Sequence, residues 1–307
     1  MRLTAAALVL AALAAAQVER EMADVAPIAE IRIEGMPDWQ AITGDAVWVS
    51  NGPGNTVHRI DPATNQVVAT VTVGKQPCSG LAAGFGSIWS PSCGERALVR
   101  VDTETNRVVA RIPVGAADKE GGVASGGGSV WLVSDASGIL SRIDPRTNRV
   151  AAEIHVPAGS AACIFAEGAV WVTTPADNSL TRVDPNGGET NRIAVGHGPR
   201  FLTSGAGAIW TLNQGDGTVT RVDAKSGRVT ATVNAGVAGT GGDIAFGNGH
   251  VWVSVPRVPL SEIDPDTNRL VRQWTGGGGD AVRIGHGSIW LSNVLEQNIW
   301  RIDLKKL

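Results

Sequence analysis

Residues 46–74 read A-V-W-V-S-N-G-P-G-N-T-V-H-R-I-D-P-A-T-N-Q-V-V-A-T-V-T-V-G, and this unit returns seven times along the chain. Its anchors are Trp48, Trp89, Trp131, Trp171, Trp210, Trp252 and Trp290, spaced 38 to 42 residues apart. Each is followed 12 or 13 residues later by an aspartate: Asp61, Asp102, Asp144, Asp184, Asp223, Asp264 and Asp303. Self-similarity near 40 residues with several short strands per copy is the signature of a propeller blade, one supersecondary unit that buries its faces only against its neighbours. The expected fold is therefore all-β, a seven-bladed β-propeller of four-stranded antiparallel blades.

Working outward from one copy gives the strands. In the second blade they fall at residues 80–83, 87–90, 97–101 and 107–114, running from the channel to the rim. The inner pair is joined by glycine-rich turns such as Gly84-Phe85-Gly86 and Gly126-Gly127-Gly128, which supply the positive φ of tight hairpins. No helix follows them, so they are not phosphate loops. The outer pair is joined by Asp-Pro-x-Thr-Asn, as at residues 61–65, 144–148 and 264–268, where proline presets one φ and the aspartate accepts from amides ahead of it. A turn role accounts for all seven aspartates without metal, and seven tryptophans at equivalent mid-strand positions are core.

The ends of the repeat array define the closure. Residues 28–35, I-A-E-I-R-I-E-G, match the last strand of later copies, while only four residues remain after Trp300-Arg301-Ile302-Asp303. An open strand edge leaves backbone groups unmet. The N-terminal strand is thus expected to complete the last blade, making residues 28–307 one propeller.

Ahead of it, Met1-Arg2 and the apolar run from Leu3 to Leu13 followed by Ala14-Ala15-Ala16 read as a signal peptide over residues 1–16, cut before Gln17. Residues 17–27 are polar, lack periodicity and read as a flexible leader. No other stretch approaches the ~20 apolar residues of a membrane span. Of 26 basic residues only Arg2 leaves with the signal, so 25 face 29 acidic ones and the net charge is about −4. With no basic stripe, nucleic acid is excluded as a partner. The expectation is an exported monomer, periplasmic or secreted.

Strand direction places the glycine-rich and Asp-Pro turns at one face, and the inter-blade links at the other. That second face varies in chemistry from blade to blade, as binding surfaces do. There the starts of the inner strands bring Asp38, Trp39, Glu120, Arg200, Asp243 and Asp280 to the channel mouth, a candidate surface for a small ligand or a protein partner. Cys78 opens the inner strand of the second blade and Cys93 lies in the next loop on the same face. Export favours oxidation, so a Cys78–Cys93 disulfide is expected, with Cys163 a buried free thiol. The histidines (His58, His155, His197, His250 and His286) show no ligand spacing and assemble no triad.

These copies resemble YVTN-type repeats, and the resemblance spans residues 28–303, implying an exported seven-bladed propeller. A related branch is virginiamycin B (streptogramin) lyase, which opens a cyclic depsipeptide by elimination with Mg2+. That branch places histidines in Pro-His-Ala-Ile or Pro-His-Gly-Ile ahead of late inner strands. The matching positions here are Gly242-Asp243 and Asp280-Ala281, with Pro199-Arg200-Phe201 in the fifth blade. None carries histidine, so in a lyase Asp243 or Asp280 would take the base role. The expected function is non-catalytic binding at the mouth without a cofactor, the alternative being a magnesium-dependent carbon–oxygen lyase.

Overall fold

The computed structural model describes residues 18–186, 188 and 190–307. The expected signal peptide lies outside them. Seven four-stranded antiparallel units form the ring, and there is no α-helix among the described residues. The first blade is Pro37–Ile42, Val47–Asn51, Thr56–Asp61 and Gln66–Thr72. The seventh is Val282–Gly285, Ser288–Asn293 and Asn298–Asp303, completed on the outside by Ala29–Arg32 with Ile31 opposite Ile299. The ring is closed by the N-terminal strand, as the repeat count requires.

The seven anchor tryptophans are at most 1% exposed, and their immediate environment is nearly identical from blade to blade. In six of them the indole N–H donates at 3.1 Å to the carbonyl five residues back, at Gly84, Gly126, Ala166, Gly205, Gly247 and Gly285. The equivalent acceptor for Trp48, the Thr43 carbonyl, is hydrogen-bonded to His286 Nε2 from the seventh blade at 3.1 Å instead. The Trp48 indole nitrogen has no partner among the described residues.

In six blades an arginine two residues before the turn aspartate stacks on the anchor ring, 4.9 Å away for Arg100 over Trp89 and 5.1 Å for Arg301 over Trp290. In blades two, three, five and seven the guanidinium then reaches into the next blade's turn: Arg100 donates to Pro145 O at 2.6 Å and Asn148 Oδ1 at 3.0 Å. Arg301 does the same to Pro62 and Asn65, latching the last blade to the first. The turn aspartates accept from their own amides, such as Asp61 from Ala63 at 2.8 Å. Those bonds hold the carboxyls of Asp61, Asp102, Asp144 and Asp264 below the usual range.

Blade six departs from the rule. Glu262 stands where the arginine belongs, paired with Arg272 at 2.5 Å. Its outer strand Arg269–Thr275 carries a fifth, parallel strand, Val18–Glu21, in register Val18 to Arg272 and Glu21 to Thr275. The leader expected to be flexible is therefore partly docked. Met22, 2% exposed, packs in a cluster with Trp252, Leu260 and Trp274, and Arg20 lies 5.8 Å over the Trp274 ring. Burying one methionine and covering a tryptophan that no other outer strand possesses offsets the cost of ordering a polar segment.

Candidate ligand site at the channel mouth

The mouth is built from irregularities at the starts of inner strands. In blade one the pairing passes from Pro37–Asn51 directly to Gln40–Val49, so Asp38 and Trp39 form a bulge, and such an insertion re-aims side chains out of the ladder. The bulge is pinned by Ser50 Oγ to Trp39 O at 3.3 Å and by Ser292 Oγ to Asp38 O at 2.5 Å. Blade five has the same shift between Pro199 and Phe201, releasing Arg200. In blade six Gly242 has φ +90°, and a Cβ there would lie 2.2 Å from Ser254 O. Only glycine can hold this turn, whose amide donates to Asp280 Oδ1 at 2.7 Å.

The result is a cavity of about 320 Å³ lined by Met36, Asp38, Trp39, Glu120, Phe201 and Asp280, with Pro77, Ser79 and the exposed Lys119 at its edge. Trp39 and Phe201 meet edge to face across the channel, ring centroids 5.1 Å apart, and form the floor. Asp38 is largely buried. Burial first, and then the neighbouring Asp280 charge, push its carboxyl up to about 7, against a lowering hydrogen bond from Ser79. Burial also raises Asp280, opposed by the Gly242 amide and by a hydrogen bond with Asp38. Glu120 is raised by burial too, tempered by Arg200. Two carboxyls crowded out of water retain a proton that isolated acids would lose.

Of the six residues singled out from the sequence, Asp38, Trp39, Glu120 and Asp280 share this cavity. Arg200 is turned to Asp118, at 2.7 Å. Asp243 is 1% exposed and locked beneath, accepting from the amides of Ile244 at 2.8 Å and Val282 at 3.2 Å and from Arg283. That pairing spends its acceptor capacity on the protein. Sequence reading missed Phe201, Asp118 and Arg283. Arg283 carried a signal: it stands seven residues before its anchor tryptophan, where the other six blades have Ala41, Ala82, Ala124, Ile164, Thr203 and Ala245.

The disulfide between Cys78 and Cys93 is present, Cα atoms 5.2 Å apart. It braces the cavity wall, since Cys78 flanks Ser79 and the Cβ of Cys78 sits against Gly121, next to Glu120. Cys163 is buried and unpaired, its thiol pushed up to about 12 by burial, so it is not a nucleophile. Among the described residues no three His, Cys, Asp or Glu side chains converge as a metal site, and no helix is long and apolar enough to cross a membrane.

No protein-family model and no curated protein sequence matches the chain, so the YVTN-type resemblance gains no support from a family match. Solved structures do match. A streptogramin B lyase structure superposes with a TM-score of 0.75 at 16% identity, covering 90% of this chain and 96% of that one. Hydrazine synthase of Kuenenia stuttgartiensis gives 0.72 at 16%, covering 88% and 96%. A catalytically inactive histidine-to-alanine variant of Staphylococcus aureus virginiamycin B lyase with quinupristin gives 0.71 at 14%, covering 90% and 98%. At these identities, differently named proteins share the propeller, and what the likeness establishes is the seven-bladed fold.

Proposed function

We propose that this protein is an exported, non-catalytic propeller that binds a small organic cation at the channel mouth. The observation that carries the reading is the cavity itself: three carboxyls, Asp38, Glu120 and Asp280, stand over an aromatic floor of Trp39 and Phe201. The nearby guanidinium of Arg200 is engaged by Asp118. An ammonium group entering there would meet carboxylates on the wall and ring faces below. It would also offset the burial and the Asp280 repulsion that raise the Asp38 carboxyl, so binding should release a proton near neutrality. The disulfide is compatible with an oxidising compartment, which supports export.

The test compares choline with its uncharged isostere 3,3-dimethylbutanol by calorimetry on residues 17–307. Choline binding that is lost in an Asp38→Asn/Asp280→Asn variant, with no binding of the alcohol, supports the reading. Equal binding of both, or binding untouched by the double variant, overturns it.

A second reading is a carbon–oxygen lyase, favoured by the likeness to lyase structures and by Asp38, a carboxyl poised near neutrality as general bases are. Among the described residues no His, Cys, Asp and Glu side chains group as a magnesium site. Chromatography of quinupristin incubated with the protein decides it: a linear product establishes the lyase, and intact substrate removes it.

A further inference from the structure

Below the Trp39–Phe201 floor the channel opens into a second hollow of about 260 Å³, distinct from the mouth cavity and lined by none of its carboxyls. Apolar residues Leu81, Val123, Ile164, Phe165 and Leu202 line it together with Ser125, Thr203 and Ser204, and more of its surface is polar than apolar. The one charged side chain lining it is Arg283, held on a framework that uses only part of its guanidinium. Nη1 donates to the buried Asp243 and to Val282 O at 2.7 Å, while the ring of Trp39 lies 5.3 Å from its central carbon. Nε and Nη2 have no protein acceptor among the described residues. These two nitrogens form the side-on edge of the guanidinium, two parallel N–H donors whose spacing matches the oxygens of one carboxylate.

An arginine in this ring of positions is unexpected on structural grounds. The other six blades place alanine, isoleucine or threonine opposite the anchor tryptophan, and a fully buried aspartate is committed to holding the guanidinium in place. Burying a carboxylate costs stability unless it is paired. Here the pair fixes a guanidinium whose side chain stays 23% exposed.

We propose that this lower hollow is a second ligand site, which takes a small carboxylate with an apolar body, gripped side-on by Nε and Nη2 of Arg283. The apolar side chains of the lining would receive the body, and Ser125, Thr203 and Ser204 supply polar groups for the carboxylate or a substituent. The site is independent of the mouth: its ligand has the opposite charge, and Asp38, Glu120 and Asp280 do not line it.

Benzoate and its neutral isostere benzamide are the probes, titrated by calorimetry into residues 17–307. Charge-assisted bidentate bonds exceed neutral ones, so benzoate should bind at least about tenfold more tightly than benzamide. Arg283→Lys keeps a cation beside Asp243, and so preserves the fold, but removes the fork; it should weaken benzoate about tenfold or more. Thr203→Phe, which fills the hollow, should abolish binding, and Asp38→Asn should leave it within about twofold. No saturable benzoate binding overturns the site. So does equal affinity for benzamide, or full affinity in both Arg283→Lys and Thr203→Phe when thermal melts show them folded.

Discussion

Replacing Asp38 by asparagine should stabilise the protein at pH 8 and leave it nearly unchanged at pH 4. The carboxyl is raised from its ordinary value of 3.8 to about 7 in the folded state, first by burial and then by Asp280. Between those values the folded chain holds a proton that the unfolded chain has lost, so stability falls as pH rises through this window and is lowest above it. One pKa unit corresponds to about 1.4 kcal/mol, so the full ionisation penalty approaches about 4 kcal/mol above pH 7. Asparagine copies the protonated acid in shape and can keep the contacts to Ser79 and Asp280 without ever ionising.

The difference between variant and wild type isolates the Asp38–Asp280 pair. The turn aspartates, whose carboxyls are lowered, lose their contribution only as pH falls through their folded values. His58, lowered by burial, acts in the opposite direction near neutrality. Both effects are common to the two proteins and cancel. Urea unfolding followed by tryptophan fluorescence at pH 4, 6 and 8 gives the comparison. A gap opening from near zero to several kcal/mol in favour of asparagine supports the mouth electrostatics. A gap that is constant with pH, or that favours aspartate at pH 8, refutes them.

Three further expectations follow from the packing. Cys78→Ser/Cys93→Ser should lower the unfolding free energy by about 3 kcal/mol, the chain-entropy value for a loop of this size, in urea melts compared with the oxidised wild type. Arg301→Ala removes the latch from the seventh blade to Pro62 and Asn65 and leaves the Trp290 face uncovered. It should cost about 1–3 kcal/mol, with faster hydrogen exchange in the amides of Asn298–Asp303 than in other blades. Met22→Ala should cost about 2–5 kcal/mol as a large-to-small core change. Faster proteolysis of the first residues should accompany it, whereas a truly free leader would show neither effect.

What the sequence determined by itself is the ring. Seven tryptophans, seven turn aspartates and a stray terminal strand leave one arrangement in which every blade buries both faces against its neighbours and the last blade gains its fourth strand. The disulfide was readable for the same reason, since strand direction alone brings Cys78 and Cys93 to one end of one blade. The channel was legible only in part. Asp38, Trp39, Glu120 and Asp280 start inner strands and so had to face the mouth, but which of them share a cavity depends on bulges at Asp38–Trp39 and Arg200 that the repeat pattern does not encode. Arg200 and Asp243 were drawn away by Asp118 and Arg283, partners 82 and 40 residues distant in sequence. The docking of Val18–Glu21 on blade six rests on Met22 finding Trp274, a contact between the two ends of the chain. A local repeat fixes each blade, because its strands pair with sequence neighbours. The site is made where non-equivalent residues of different blades converge, and only the closed ring brings those together.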